Sequence, residues 1–388
     1  MRRWVWRGLA ALVFVAVAGF LIWGPGLFEQ SANRVTHAAP WPVSPAAQAL
    51  HQTLTIVDLH EDTLLWKRDM TRFSRHGHVD LPRMEAGNMA LSVFSSVTKT
   101  PRGQNYLSNS DKTDNITLLA IAQLQPVRTW GSLLERSLWH AEKLRRAAAI
   151  DPGLRIVRTR ADLDAGLAAR RAGTVRSLAM LSVEGLHDME GKFANLDVLF
   201  RAGFRMGGLA HFFDNELAGS MHGERKGGLT PFGRKVVAAM EDKGMIVDVA
   251  HSSHATIADV LRVARKPVVF SHGGVKGTCD TNRNLTDEEI RGIARTGGVI
   301  GIGLWDVASC SDKPSGAARA MRYVRDLVGI RTVALGTDFD GAVAEPFDVS
   351  GMAALTQALL DQGFTADEVR AAMGGNALRV LRADLPAA

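Results

Sequence analysis

Eight short, nearly unbroken apolar runs mark the chain. They are "LTIVDL" (54–59), "ALSVFSS" (90–96), "SLAMLSV" (177–183), "FRMGGLA" (204–210), "GMIVDVA" (244–250), "KPVVFS" (266–271), "GGVIGIGL" (297–304) and "RTVALG" (331–336). Continuous rather than alternating hydrophobicity is what strands buried on both faces require. Between most of these runs the apolar spacing changes to a helical period, as in 230–244, 253–265 and 286–297. Thr230 and Thr286 stand where an N-cap is needed, and Gly244 and Gly297 where a helix should stop. The pattern predicts an α/β fold, a TIM-like (β/α)8 barrel with insertions. The alternative is a doubly wound open sheet, but no strand is followed by a dinucleotide or phosphate-loop glycine fingerprint. Residues 99–115, "KTPRGQNYLSNSDKTDN", are polar and turn-rich and predict a surface loop. The stretch 116–150 is helical in pattern and long for a simple crossover.

The N-terminus has a different pattern. Arg2, Arg3 and Arg7 precede an uncharged stretch from Gly8 to Phe28, about the length that spans a bilayer core of roughly 30 Å. This predicts one N-terminal membrane segment (1–28), with its arginines on the cytoplasmic side and the rest of the chain beyond the membrane. A cleaved signal peptide, with "AVA" at Ala16–Ala18 as its cleavage site, is the rival and would give a secreted protein. A Pro- and Ala-rich linker (29–47) follows, then one barrel domain (48–385). The localisation implied by the anchor is a single-pass membrane protein with an extracytoplasmic domain, periplasmic in a Gram-negative cell.

Composition adds two points. With 46% hydrophobic and 22% charged residues the chain has ample core material, and its net charge of +6 is spread out with no basic–aromatic run, so a nucleic-acid partner is not expected. The two cysteines, Cys279 and Cys310, cannot make a four-sulfur metal site; in an exported domain they could form a disulfide or remain buried thiols.

The polar residues that follow the strands carry the chemistry. The first run leads into His60 and Asp62, the third into Glu184, the fourth into His211, the fifth into His251, the sixth into His272 and the eighth into Asp338. In a barrel those strand ends converge on one face, where active sites are built. Imidazoles and carboxylates together are ligands of zinc and similar ions. The period-two alternation of a strand places His60 and Asp62 on one side, with Asp58 in the same parity as a supporting residue; Glu61 should point away, into solvent or a supporting role. Five ligands, His60, Asp62, Glu184, His251 and His272, are too many for one tetrahedral catalytic zinc. They suit two ions bridged by Glu184 that activate a hydroxide. Asp338 is then the acid–base group, with Asp340 as its rival two residues on. His76, His78, His140, His187, His222 and His254 are read as structural.

At this point the sequence resembles the membrane (renal-type) dipeptidases of the metal-dependent amidohydrolase superfamily. The resemblance rests on an ordered set: "VDLHED", "LSVEGLH", "GLAHFFDN", "VDVAHSS", "PVVFSHGGVKGTCDTNRNL", "ALGTDFDG" and "GGNALRVL". It implies a binuclear zinc dipeptidase, with two zinc ions per chain, acting on dipeptides with a free C-terminal carboxylate. It implies that His211 contacts the scissile group and the tetrahedral intermediate, that Arg283 holds the carboxylate, and that Cys279 and Cys310 pair as a disulfide. Family members are often homodimers, and nothing in the sequence marks an interface. Leu59 and Glu61 depart from the residues common in the family and could reshape the pocket entrance. The other functions weighed are a metal-dependent amidohydrolase of a lactone, cyclic amide or phosphoester, and a non-catalytic barrel binding protein.

Overall fold

The computed structural model describes residues 2–37 and 39–388. Its strands are β1 (Ile56–Glu61), β2 (Met89–Phe94), β3 (Leu154–Ile156), β4 (Ser177–Val183), β5 (Phe204–Gly208), β6 (Ile246–Asp248), β7 (Val269–Phe270), β8 (Val299–Ile302) and β9 (Val333–Leu335). All neighbours are parallel, and their order is β2-β1-β9-β8-β7-β6-β5-β4-β3, with β2 pairing again with β4. That second pairing closes eight strands into a barrel, as the alternation of runs and helices predicts, and excludes the open sheet. Val57, Leu91, Met180, Met206, Ile246, Val269, Val299 and Ala334 form one buried cluster. Their neighbours along the strands, such as Ile56, Leu181, Val247, Phe270, Ile300 and Leu335, pack with most of the helices in a second cluster, which leaves the first as the barrel interior.

Each predicted run overlaps one barrel strand, and the ninth, β3, has no counterpart among them. It pairs with Ser177–Ala179 at the start of β4, while β5 takes Leu181–Val183 at its end. Three residues interrupted by an exposed arginine, Arg155, leave no apolar run to detect.

The helices obey their caps. Thr230 Oγ1 accepts from the Gly233 N–H ahead of Pro231–Lys243, and Thr286 forms a reciprocal capping box with Glu289 ahead of Asp287–Arg295. The long helical region 116–150 divides into Ile116–Ala122, Arg128–Gly131 and Leu133–Ile150. Pro126 lacks an N–H and disfavours helix in the residue before it, so the break falls there.

The N-terminal helix runs from Arg2 to Ala32 and is long and apolar enough to cross a membrane. It extends past the predicted end at Phe28, and its base is docked on the barrel. Asn33 Oδ1 accepts from the Ala342 N–H at 2.8 Å. The Thr36 N–H donates to the Glu345 carbonyl, and the Glu345 N–H to the Arg34 carbonyl, both at 2.8 Å. These partners lie in the segment that follows β9.

Candidate metal centre and active site

Glu184 leaves the end of β4 and its N–H is held by the Ser96 carbonyl at 3.2 Å, just beyond β2. The next residue, Gly185, turns the chain with φ of +86°, where a Cβ would sit 2.5 Å from His187 Nδ1. The Glu184 carboxylate thereby enters a ring of imidazoles. Its Oε1 lies 3.6 Å from His60 Nε2, 3.0 Å from His251 Nε2 and 3.2 Å from His272 Nε2; its Oε2 lies 3.3 Å from His211 Nε2. His60 Nε2 is also 3.4 Å from Asp62 Oδ2 and 4.0 Å from Asp338 Oδ1. All these side chains are buried.

The backbone is bent where it delivers them. His251 and Asp338 adopt φ of +60° and +66°, rare for non-glycine residues. Left-handed residues at strand ends cost energy and persist where the surroundings demand them.

The donor set fits metal ions. His251 Nε2 and His272 Nε2 are 2.9 Å apart, and both face Glu184 Oε1. Ligand atoms about 2.0–2.2 Å from a tetrahedral zinc lie roughly 3.4 Å from one another, so these spacings match one shared ion. Burial, before the charges nearby, pushes His211, His251 and His272 well below the usual imidazole range. They are neutral, the form that coordinates. The His272 tautomer follows from its neighbours: the Ser271 hydroxyl donates to Asp248 Oδ2 at 2.6 Å, so its oxygen takes the His272 Nδ1–H at 2.9 Å. This leaves the His272 Nε2 lone pair toward Glu184. Burial would lower His60, but Asp62 and Glu184 beside it push it up to about 10. Burial raises Glu184 well above the carboxylate range. A pocket with this much excess negative charge draws protons onto itself, and a cation would compensate it directly.

Asp58 and Glu61 differ from the simple alternation. The pairing of β1 with β2 slips between Asp58 and Glu61. The irregularity turns Asp58 toward β9: it accepts from the N–H groups of His60 (3.3 Å) and Thr337 (2.9 Å) and from the Thr337 hydroxyl. It braces the two strand ends that carry His60 and Asp338. Glu61 is fully buried instead of solvated, and it accepts from the Thr63 N–H at 2.8 Å. Leu59 belongs to the interior cluster, away from the pocket entrance.

Asp338 and Asp340 separate clearly. Asp340 accepts from Thr63 Oγ1 and from the N–H groups of His78 and Val79, and pairs with the Arg68 guanidinium. Asp338 lines the cavity above the imidazoles, and burial, more than the nearby Asp62 charge, pushes it up to about 8. Of the histidines read as structural, His254 meets Glu289 on the surface side, His187 meets Thr98, and His140 meets Ser96. His222 stacks on Phe212, 4.7 Å between centroids, and its ring is 5.2 Å from that of His251, at the edge of the site.

The cavity above the cluster has a volume of about 550 Å³. Arg283 lines it, fully buried, with Nη2 donating to the His272 carbonyl at 2.7 Å; Nε and Nη1 have no partner among the described residues. Tyr106 and Trp305 also line it, neither of them a ligand or acid–base candidate. Tyr106 comes from the polar loop 99–115 and packs on Phe212 at 5.7 Å; burial pushes its hydroxyl up to about 12. This loop follows the C-terminal end of β2, on the face where barrel sites form. Cys279 and Cys310 are joined as a disulfide.

The chain is similar to known proteins over most of its length. The family described as membrane dipeptidase (peptidase family M19) matches residues 45–386. A dipeptidase, aclJ, of Aspergillus oryzae is 31% identical over 360 residues, covering 87% of this chain and 80% of that protein. A dipeptidase, tcpJ, of Claviceps purpurea is 29% identical, covering 79% and 69%. Among solved structures, a metallopeptidase of Rhodobacter sphaeroides holding a phosphinate mimic of L-Ala-D-Ala superposes with a TM-score of 0.68 at 22% identity, over 86% of this chain and 99% of that one. A protein described as the probable dipeptidase PvdM of Pseudomonas aeruginosa gives 0.72 at 18%, over 88% and 98%.

Proposed function

The chain belongs to the membrane dipeptidase family, peptidase family M19, and is a metal-dependent dipeptidase; we propose that it binds two zinc ions and cleaves dipeptides that carry a free C-terminal carboxylate. The observation that carries the two-ion reading is the Glu184 carboxylate, whose Oε1 lies within 3.6 Å of three imidazole nitrogens, those of His60, His251 and His272, more ligands than one open tetrahedral site needs once Asp62 is added. His60, Asp62 and Glu184 would hold one ion, and Glu184, His251 and His272 the other. Bound there, the ions would make water a nucleophile near neutral pH and polarise the peptide carbonyl.

The protein's own groups do the rest. Asp338, raised to about 8, takes the proton of the attacking water and returns it to the departing amine. His211, neutral and buried beside Glu184, donates to the carbonyl oxygen as charge builds on it. Arg283 offers its uncommitted donors to the substrate carboxylate. Asp340 is spent on Arg68, His78 and Thr63, which supports Asp338 for the acid–base role.

The N-terminal helix is read as an uncleaved anchor (1–28), followed by the connecting segment (29–47) and the catalytic domain (48–385) on the extracytoplasmic side. The support is structural: Pro25, Glu29 and Asn33 are buried against the barrel. The test of the reaction is Asp338→Asn. Zinc content by elemental analysis should stay at two per chain while dipeptide turnover falls about 100-fold or more. Near-normal turnover would overturn the assignment.

A further inference from the structure

The cavity over the metal cluster is not walled by the barrel alone. Phe20, Gly24, Pro25 and Phe28 of the N-terminal helix line it, together with Asp62, Glu184, Arg283 and Asp338 at its floor. Phe20, Gly24 and Phe28 recur at intervals of four, one stripe along the helix. At Gly24 a Cβ would come within 2.9 Å of the Phe20 ring, so the absence of a side chain lets that ring fold over the helix backbone. Beside this stripe, lining the same cavity, stand Ile116 and Leu119 of the helix Ile116–Ala122, which packs on the N-terminal helix, and Trp66, whose ring lies 5.9 Å from that of Phe28.

The stripe is fixed in place at its base. Glu29 is buried and pairs with Arg68, which also pairs with Asp340, two residues from Asp338. His76 approaches the other Glu29 oxygen at 3.5 Å. The helix end is thus bolted to the same segment that carries the acid–base group.

Resting on the dipeptidase reading, we propose that the barrel-facing end of the N-terminal helix is part of the substrate site: its Phe20–Gly24–Phe28 stripe forms an apolar wall that selects dipeptides with large apolar side chains. The cleft is amphipathic in the sense such substrates need. Its floor carries the charges that meet the peptide bond and the carboxylate, and its wall is hydrocarbon. A side chain that moves from water onto that wall gains transfer free energy that a glycine dipeptide cannot gain.

The test compares kcat/KM for Leu-Leu and Gly-Gly with the full-length, zinc-loaded protein in nanodiscs. Phe20→Ser combined with Phe28→Ser should lower the Leu-Leu to Gly-Gly ratio about fivefold or more, chiefly through KM. Gly24→Leu, which fills the wall, should lower it as well. Ile22→Ser, on the opposite side of the helix, is the control and should leave the ratio at its wild-type value. Phe20 and Phe28 are 60% and 54% exposed, so their replacement empties no core site. A wild-type protein that cleaves both dipeptides while every variant keeps its ratio overturns this proposal alone, as does an equal change in Ile22→Ser. A zinc-loaded wild type that cleaves neither dipeptide overturns the dipeptidase reading and this proposal with it.

Discussion

Arg283 lines the cavity as a fully buried guanidinium that gives one nitrogen to the backbone, while its Nε and Nη1 have no hydrogen-bond partner among the described residues. A buried charge without an anion is costly, so the substrate carboxylate completes an unfinished interaction. Arg283→Met should therefore raise KM for free-acid dipeptides by about 10- to 100-fold, the loss of one charge-assisted bond. The wild type should prefer free acids to dipeptide amides, and the variant should lose most of that preference. Equal kinetics on acid and amide in the wild type would overturn the role. A second residue bears on stability. Burial holds the His187 imidazole down at about 3 in the folded protein, against 6.5 in the unfolded chain. Between those values the unfolded state binds a proton that the native state does not, so stability falls as pH drops from about 6.5 to about 3. His187→Gln should flatten urea midpoints across that range by about one proton's worth relative to wild type; parallel curves would refute it. At this scale the sequence exposed the residues that gather in the pocket because each follows an apolar run. It hid the burial of Glu61, because one slip in the pairing of β1 defeats strict alternation.

The segment between Cys279 and Cys310 holds both Arg283 and the barrel strand β8. The disulfide closes it, and Asn284 fastens its start by donating to the Cys279 carbonyl at 2.7 Å and the Ala308 carbonyl at 3.0 Å. Cross-linking residues 31 apart removes loop freedom from the unfolded chain worth about 3–4 kcal/mol. The double Cys279→Ala, Cys310→Ala variant should lose about that much in urea denaturation, and its KM should rise more than its kcat falls, since the loosened element holds substrate. An unchanged KM would separate the disulfide from the site. Elements were readable in proportion to their local signals. Buried parallel strands announce themselves as apolar runs, and Thr230 and Thr286 announce their helices. β3 is defined only by its pairing to β4, and the docking of loop 99–115 through Tyr106 depends on contacts far away in sequence. No local period encodes these.

At the scale of the whole molecule, the barrel gathers the buried carboxylates of Asp62, Glu184 and Asp338 around four imidazoles, and the N-terminal helix lines one side of the same cleft. The sequence displayed this apolar helix and the barrel separately; their contact rests on Glu29, Arg68 and Asp340, which are distant in sequence and ordinary in composition. The gathered acids make stability depend on the cation. Ions that bind only the native state add RT ln(1 + [ion]/Kd), about 4 kcal/mol at a free concentration 1,000-fold above Kd. Chelation should lower the thermal midpoint of the full-length protein, and zinc should restore it. If the cause is repulsion among buried carboxylates, Asp338→Asn, which removes one of them without removing a ligand, should be more stable than the wild type once both are chelated. It should gain more than a neutral change elsewhere in the cavity, such as Tyr106→Phe. A chelated wild type that melts where the zinc-loaded protein melts would mean that the cluster holds no ion of consequence to the fold, and would return His60, Glu184, His251 and His272 to the status of a hydrogen-bonded polar core.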